Sequence, residues 1–280
     1  MVRVDLSLPG RVEAVYADLG PAERHIADLL LQDPLGLATT TTTELAAGSG
    51  SSKATVSRFF RRLGFDSFAE ARASVRDLRT SGVPIGSRSG RDGLWARHRA
   101  AEERNLRRTA EAVPEELLAA VGAVVADARD VLVLGFRNSY PVALHLREQL
   151  VQARPRVQLA PLPGQSLAEE LAALGPGDVA LTVGFRRRPA AFGEVVRACA
   201  GTGADVVLLA DPGVRRLRLP VTHRLEVPVD GVGAFDSYAA AHTVVCLLAE
   251  AVLERRGAAG RERVLRLAAR AEELGELEAR

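Results

Sequence analysis

The first 79 residues consist of short apolar stripes with helical spacing, separated by tight turns. Pro21 opens one stripe at a position where its missing N–H costs nothing, and Thr41 and Glu44 have the spacing of a capping box that starts the next one. Residues 48–50 supply a glycine-containing turn before a further stripe at residues 51–64. The pattern therefore predicts a small all-α domain that contains a helix-turn-helix arrangement.

From residue 131 onward, apolar runs of the β type alternate with helical stretches. The runs lie at residues 131–135, 156–160, 178–184, 205–210 and 223–229. Such alternation predicts an α/β domain, in which helices flank both faces of a parallel sheet. Two helices precede the first run, at about 94–112 and from Pro114, and two more, at about 234–256 and 261–279, end the chain.

A segment without apolar periodicity separates the two patterns. Residues 80–93, TSGVPIGSRSGRDG, are rich in Gly, Ser and Arg, which is the composition of a linker. The predicted organisation is therefore a helix-turn-helix domain at 1–79, a linker at 80–93 and an α/β domain at 94–280. A length of 280 residues fits two domains.

Composition narrows the class of protein. No apolar run approaches the roughly 20 residues that span a bilayer, and the first ten residues lack the apolar stretch of a signal peptide, so we expect a cytoplasmic protein without a membrane partner. Cys199 and Cys246 have no zinc-ligand spacing and are interpreted as reduced core residues. Neither a P-loop nor a complete dinucleotide fingerprint occurs, so we expect no metal and no cofactor.

The helix predicted at 51–64 has one apolar face and one open face. If the apolar stripe points to the core, hydroxyl and basic side chains lie on or beside the open face. These are Ser52, Lys53, Thr55, Ser57, Arg58, Arg61 and Arg62. Hydroxyls near the start and cations along the rest suit a helix that lies in the DNA major groove. An ordinary solvated charged face is the alternative, but the preceding short helix and turn favour DNA.

Two stretches of the first domain carry a family resemblance. LGPAERHIADLLLQDP, and TELAAGSGSSKATVSRFFRRLGFDSFAEARA after it, resemble the N-terminal domain of the RpiR/MurR family of bacterial transcriptional regulators over about residues 11–79. Ser51 stands where the family usually has Val, and Lys53 where Glu is common. The resemblance implies that a homodimer or homotetramer binds a double-stranded DNA operator, and that the α/β domain is a sugar isomerase (SIS) domain.

The loop after the first predicted strand is a candidate anion site. Arg137, Asn138 and Ser139 precede a helix, and the unpaired N–H groups and dipole at a helix start favour negative charge. The family resemblance implies that Ser139 is the hydroxyl residue that holds a sugar phosphate. A simple N-cap is the alternative for Ser139, and the two roles are compatible.

A second family signature is altered in this sequence. Where SIS domains of the family carry a Ser-x-Ser-Gly-x-Thr loop, the sequence reads TVGFRRRP, in which only Thr182 keeps a hydroxyl. Arg186, Arg187 and Arg188 offer forked donors for a carboxylate or a phosphate at the sheet edge where such folds bind ligands. We therefore expect a small anionic effector other than an ordinary sugar phosphate. The alternative is that the three arginines are ordinary surface residues.

A third candidate segment opens the long helix after the last strand. The family places a polar motif there, near the ligand of a neighbouring subunit, and the resemblance puts Asp236 and Ser237 in it. Both residues also fit the plain start of a helix.

Two other classes of function are compatible with a SIS domain. A sugar-phosphate isomerase needs a carboxylate or histidine beside its substrate, for which Glu169, Glu170 and His242 are available. A module that only dimerises needs no ligand at all. Because an enzyme has little use for a helix-turn-helix domain, the sequence favours a transcriptional regulator, not an enzyme, that binds DNA and senses a small anion.

Overall fold

The computed structural model describes residues 8–32, 34, 36–38, 40–81, 93–233 and 235–276. Contacts divide the chain into two compact units, one of Met1–Arg99 with Gly231–Asp236 and the other of Ala100–Asp230 with Ser237–Arg280. Most of the predicted linker lies outside the described residues, so the domain boundaries stay a prediction.

Short helices build the N-terminal part of the first unit. They are α1 (Leu8–Val15), α2 (Pro21–Gln32), α3 (Thr42–Gly48), α4 (Lys53–Arg62) and α5 (Phe68–Ser81). The predicted capping box starts α3, because the Glu44 N–H donates to Thr41 Oγ1 (3.2 Å) and the Thr41 N–H donates to Glu44 Oε2 (2.7 Å). The helix-turn-helix is thus α3, a turn at Ser49 and Gly50, and α4.

An aromatic cluster fixes the orientation of α4 within the first unit. Phe59 and Phe60 are fully buried. The ring of Phe60 lies 5.6 Å from that of Phe59 and 5.2 Å from that of Phe68, both with edge-to-face geometry, an arrangement that adds to the gain from burial alone. Since this side of α4 is held in the core, its opposite side faces solvent.

The second unit is built on a five-stranded parallel sheet. The strands are β1 (Val131–Gly135), β2 (Val157–Ala160), β3 (Val179–Gly184), β4 (Asp205–Ala210) and β5 (His223–Glu226), in the order β2-β1-β3-β4-β5. The helices are α6 (Leu94–Ala112), which begins in the first unit, α7 (Glu115–Asp127), α8 (Tyr140–Ala153), α9 (Leu167–Ala172), α10 (Phe192–Gly201) and α11 (Ala239–Glu273). The predicted fold class, an all-α domain followed by an α/β domain, is confirmed.

Helices cover both faces of the sheet, because successive strand residues point to opposite sides. Val131 and Val133 pack with buried residues of α7, α8 and α11. Leu132 and Leu134 pack with buried residues of α10 on the other face. No helix within the described ranges combines the length and apolarity needed to cross a membrane.

Three sequence expectations about the second unit need correction. β5 ends at Glu226, earlier than predicted, where Pro228 lacks an N–H for the ladder. The two predicted C-terminal helices are one element, α11, interrupted only at Gly257, whose φ is +57°. Cys199 is buried as expected, and burial raises its pKa to about 11, but Cys246 is exposed, so its interpretation as a core residue is wrong.

A buried arginine closes the end of α7. Arg154 is only 3% exposed, and its guanidinium donates to the carbonyls of Val125, Ala128 (2.9 Å) and Arg129 (3.0 Å). Carbonyls at the C-terminal end of a helix lack intrahelical donors and carry partial negative charge, so a cation is favourable there. Arg154 thereby joins the end of α8 to the end of α7.

Two histidines meet between α8 and α11. The Nδ1 atoms of His145 and His242 are 2.7 Å apart, so one neutral ring donates and the other accepts. Burial, and secondarily the neighbouring His145, lowers the pKa of His242 below its ordinary value.

This pair predicts a loss of stability in mild acid. Because the pKa of His242 is lower in the folded chain, the unfolded chain binds more protons once the pH falls below about 6.5, and the free energy of unfolding decreases. The melting temperature should therefore fall between about pH 7.5 and about pH 5.5, and His242→Gln should reduce that fall. Thermal melts across this range test the prediction, with His25→Gln, an exposed histidine of α2, as the control. An unchanged pH dependence in His242→Gln contradicts it.

Candidate functional site

The sequence of α4 fixes both of its ends. Ser52 is the N-cap, and its Oγ accepts the N–H of Thr55 (3.0 Å). Leu63 follows the last turn, and Gly64 has a φ of +83°, a backbone conformation that glycine adopts without strain.

Three cations stand on the open face of α4. Lys53, Arg58 and Arg61 are exposed, and their side chains make no hydrogen bond or ion pair within the part of the chain that the structure describes. Thr55 and Ser57 are partly exposed beside them. The Oγ1 of Thr55 lies 2.9 Å from the Oγ of Ser52, so these hydroxyls form a polar group at the start of the helix.

Arg62 differs from the other predicted DNA-binding residues. One of its guanidinium nitrogens lies 3.1 Å from the Glu23 carboxylate, and the other donates to the carbonyl of Asp18 (2.9 Å). These contacts tie the end of α4 to the segment around α2. We therefore interpret Arg62 as a residue that holds the domain together.

Arg11 supports the end of α4, and the sequence analysis did not identify it. Its guanidinium donates to the carbonyl of Leu63 (3.2 Å) and lies 4.7 Å from the centre of the Phe65 ring. The contact is made across more than fifty residues of sequence, so no local pattern indicates it.

The predicted anion site lies where β1 and β3 end side by side. After β1 the chain continues toward one edge of the sheet, at β2, and after β3 it continues toward the other, at β4 and β5. This reversal leaves a crevice at the carboxyl ends of β1 and β3. Gly135 and Gly184 end these strands. A Cβ atom at Gly135 would lie 2.4 Å from Ala143 Cβ, and one at Gly184 would lie 2.1 Å from the Phe192 ring. Glycine is required at both positions because helix α8 and the ring of Phe192 approach so closely.

Ser139 connects the loop after β1 to the loop after β3. Its side chain is 5% exposed, and its Oγ accepts the N–H of Phe185 (2.9 Å). It makes no capping bond to α8, so the alternative of a simple N-cap is wrong. The hydroxyl instead holds the β1 loop against the β3 loop.

Two of the three loop arginines are paired with carboxylates of the same unit. Arg186 bonds to Asp230, and Arg188 bonds to Asp211 and donates to the carbonyl of Gly184 (2.7 Å). Burial lowers the pKa of the Arg188 guanidinium, and the Asp211 charge opposes this shift. Arg186 and Arg188 therefore shape the loop.

Arg187 remains available to a ligand. It is exposed, with a left-handed φ of +62°, and its side chain has no partner among the described residues. Arg137, with a φ of +53°, and Asn138 are exposed after β1. Thr182 is 1% exposed and donates to the carbonyl of Val207 (3.3 Å), so its hydroxyl does not face solvent.

The remaining predicted site residues lie elsewhere. Asp236 and Ser237 are partly exposed just before α11, and the Ser237 N–H donates to the carbonyl of Val229 (3.1 Å). Of the groups considered for an enzyme, Glu169 is exposed on α9, Glu170 lines a groove of about 510 Å³ beside the edge strand β2, and His242 contacts His145. No predicted anion-binding residue lines that groove.

Comparisons with known proteins address both units. Residues 8–79 match the family model described as the helix-turn-helix domain of the rpiR family. The sugar isomerase domain of an RpiR transcription factor from Sphaerobacter thermophilus is similar, with a TM-score of 0.58, 24% identity, and coverage of 65% of this chain and 99% of that one. The structure of the NanR protein of Vibrio vulnificus in complex with ManNAc-6P is also similar, with a TM-score of 0.58 and 20% identity. The match covers 95% of this chain and 98% of that one. No curated protein is significantly similar in sequence.

At these identities the two solved structures establish the fold alone. The second unit has a fold similar to the sugar isomerase domain of the Sphaerobacter protein, in agreement with the fold that the resemblance implied. The geometry offers a helix with free cations in one unit and an exposed arginine beside a sheet crevice in the other.

Proposed function

We propose that the chain is a DNA-binding transcriptional regulator, because its residues 8–79 match the helix-turn-helix domain of the rpiR family. Its target is a double-stranded DNA operator. Its SIS domain binds a small anionic effector that changes the affinity for the operator. The resemblance stated from the sequence is confirmed for the helix-turn-helix domain.

The open face of α4 is the observation that carries this proposal. Lys53, Arg58 and Arg61 are exposed cations without partners among the described residues, on a helix whose other side is fixed in an aromatic core. A basic side chain in this state can neutralise a phosphate or donate to guanine. Ser52, Thr55 and Ser57 supply hydroxyls at the end of the helix that enters the groove first.

We further propose that the regulator acts as a homodimer or homotetramer. A recognition helix contacts few base pairs, and two-fold symmetry places two such helices on half-sites about one helical turn apart. The operator is then a symmetric or repeated sequence.

The effector is an anion that meets Arg187, Arg137 and Asn138. Ser139 and Thr182 use their hydroxyl oxygens within the fold, so guanidinium groups take the place of a hydroxyl cradle. A planar guanidinium binds carboxylate and phosphate through paired hydrogen bonds. The NanR structure contains a sugar phosphate, which makes ManNAc-6P and inorganic phosphate suitable first probes.

We propose no catalytic role for the SIS domain. The Sphaerobacter thermophilus protein, whose sugar isomerase domain has a similar fold, is a transcription factor. Glu170 and His242 also lie on separate elements: Glu170 lines the groove beside β2, and His242 contacts His145 of α8.

The effector response tests the second half of the proposal. A duplex selected by the protein from random-sequence DNA serves as the operator, and fluorescence anisotropy gives its dissociation constant with and without each probe at constant ionic strength. We expect an anionic probe to change this constant about 10-fold, which requires only about 1.4 kcal/mol of differential binding. A constant that no anion changes contradicts an effector role for the domain.

Arg187→Ala should abolish this response without weakening the protein. Because the Arg187 side chain has no partner in the described structure, its removal should leave the melting temperature and the affinity for the operator without effector unchanged. Arg197→Ala, which removes an exposed arginine of α10, is the matched control and should retain the response. A full response in Arg187→Ala would place the anion elsewhere.

A further inference from the structure

Asp230 is held from two directions in the second unit. It follows β5, and its carboxylate bonds to Arg186 of the β3 loop through one oxygen and to Arg108 of α6 (2.9 Å) through the other. Its backbone carbonyl accepts from the side-chain amide of Asn105 of α6 (2.9 Å). Asp230 therefore joins the loop that carries Arg187 to α6.

Burial makes this junction specific. Asn105 is 1% exposed, so its side-chain amide lies inside the unit, and its backbone carbonyl accepts the hydroxyl of Thr109 (2.8 Å). The side chains of Arg186 and Asp230 are 16% and 25% exposed. Charges in such surroundings are screened less than on the surface. The loss of one guanidinium partner of Asp230 therefore changes the electrostatic energy of its contact with the other guanidinium.

Two guanidinium groups, those of Arg108 and Arg186, bond to the carboxylate of Asp230, and Arg187 directly follows Arg186 in the chain. An oxyanion that reaches Arg187 therefore comes close to a second guanidinium that already binds a carboxylate. It offers the same paired acceptor oxygens that Asp230 offers now.

We propose that Asp230 is an internal competitor of the effector, and a positioning residue for α6. The inference rests on the anion site proposed above and adds its regulation. An oxyanion, whether a carboxylate or a phosphate, takes the Arg186 guanidinium, and the carboxylate of Asp230 then loses its contact with the loop. Since Asp230 also bonds to Asn105 and Arg108, a new position of Asp230 gives α6 a second arrangement, and the effector shifts the population toward it.

The position of α6 in the sequence indicates which part of the chain this change reaches. α6 begins directly after the predicted linker that follows the DNA-binding helices. If the effector acts by breaking this junction, a substitution that breaks it favours the same arrangement of α6 without effector and changes operator affinity in the same direction. Substitutions at the junction should consequently imitate the effector.

The test compares two neighbouring arginines of α6. Arg108→Gln removes the bond to Asp230, whereas Arg107→Gln removes the same charge from an exposed position with no partner among the described residues. Asp230→Asn removes the competitor itself. Operator affinity is measured by anisotropy with and without inorganic phosphate at constant ionic strength, and hydrogen exchange is measured at the amides of residues 100–112.

We expect Arg108→Gln to change operator affinity at least about 5-fold without any anion, and Arg107→Gln to change it less than about 2-fold. Phosphate should raise exchange in α6 of the unmodified protein, and Asp230→Asn should raise it to the same level, so that phosphate adds nothing. If Asp230→Asn does not fold, Arg108→Gln gives the same readouts from a half-exposed position.

Two outcomes overturn the inference. In one, Arg108→Gln behaves like Arg107→Gln in both measurements. In the other, phosphate changes exchange in α6 of Asp230→Asn as strongly as in the unmodified protein. If exchange responds as expected but no duplex is bound specifically, the junction stands and the proposed regulator function fails.

Discussion

Replacing Arg58 and Arg61 of α4 with alanine together is expected to weaken operator binding about 100-fold, because two contacts worth about 1 to 3 kcal/mol each are lost. Both side chains are exposed and unpaired within the described structure, so their removal should not destabilise the domain. If both contact phosphates, the slope of log affinity against log salt concentration should also decrease by about 1.8. Anisotropy titrations at several salt concentrations measure both quantities.

The control for this prediction keeps the net charge equal. Arg266→Ala combined with Arg270→Ala removes two exposed arginines of α11, in the other unit. This variant should leave both the affinity and the salt slope nearly unchanged. If it weakens binding as much as the α4 variant, the effect follows from total charge, and α4 is not the contact surface.

Arg154→Met is expected to lower the free energy of unfolding by about 3 kcal/mol. The methionine restores the packing volume but leaves the buried Val125 carbonyl and two partly buried carbonyls at the end of α7 without this donor, and an unsatisfied buried group costs about 1 to 3 kcal/mol. In a chain of this size the change corresponds to a melting temperature lower by roughly 6 to 12 °C. Thermal and urea melts of the full chain measure it.

Arg154→Lys separates charge from geometry at this position. Lysine keeps the positive charge near the helix end but lacks the fork that reaches several carbonyls. Its melting temperature should lie between those of Arg154→Met and the unmodified protein. Equal stability of Arg154→Met and the unmodified protein would mean that water satisfies the carbonyls without the guanidinium.

The fold was predictable because its elements carry local signals. Each of these signals indicates an element within a few residues: the apolar runs at the strands, the capping box at Thr41 and Glu44, and the helical stripe of α4. The interruption of α11 at Gly257 was indicated only approximately, since a glycine next to other small residues marks several possible end points. The buried Arg154 was not indicated at all, because its partners lie 25 to 29 residues away.

The candidate site was predictable in residue types and less so in roles. The sequence places arginines at the loop after β3, but only the fold brings Asp211 and Asp230 to Arg188 and Arg186. The same holds for Arg62, which reaches Asp18 and Glu23 across about forty residues. A cluster of like charges in sequence therefore did not reveal which member is free, since the answer depends on distant carboxylates.

Sequence-specific DNA recognition by α4 is tested most directly by the ratio of two dissociation constants at physiological salt. One is measured for a duplex that the protein selects from random-sequence DNA, and the other for a scrambled duplex of the same composition. If α4 reads a sequence, the selected duplex should bind at least about 1,000-fold more tightly, and the Arg58→Ala and Arg61→Ala double variant should lose most of this preference. Equal constants for the two duplexes, with both weakened steeply by salt, would contradict a regulator that recognises an operator.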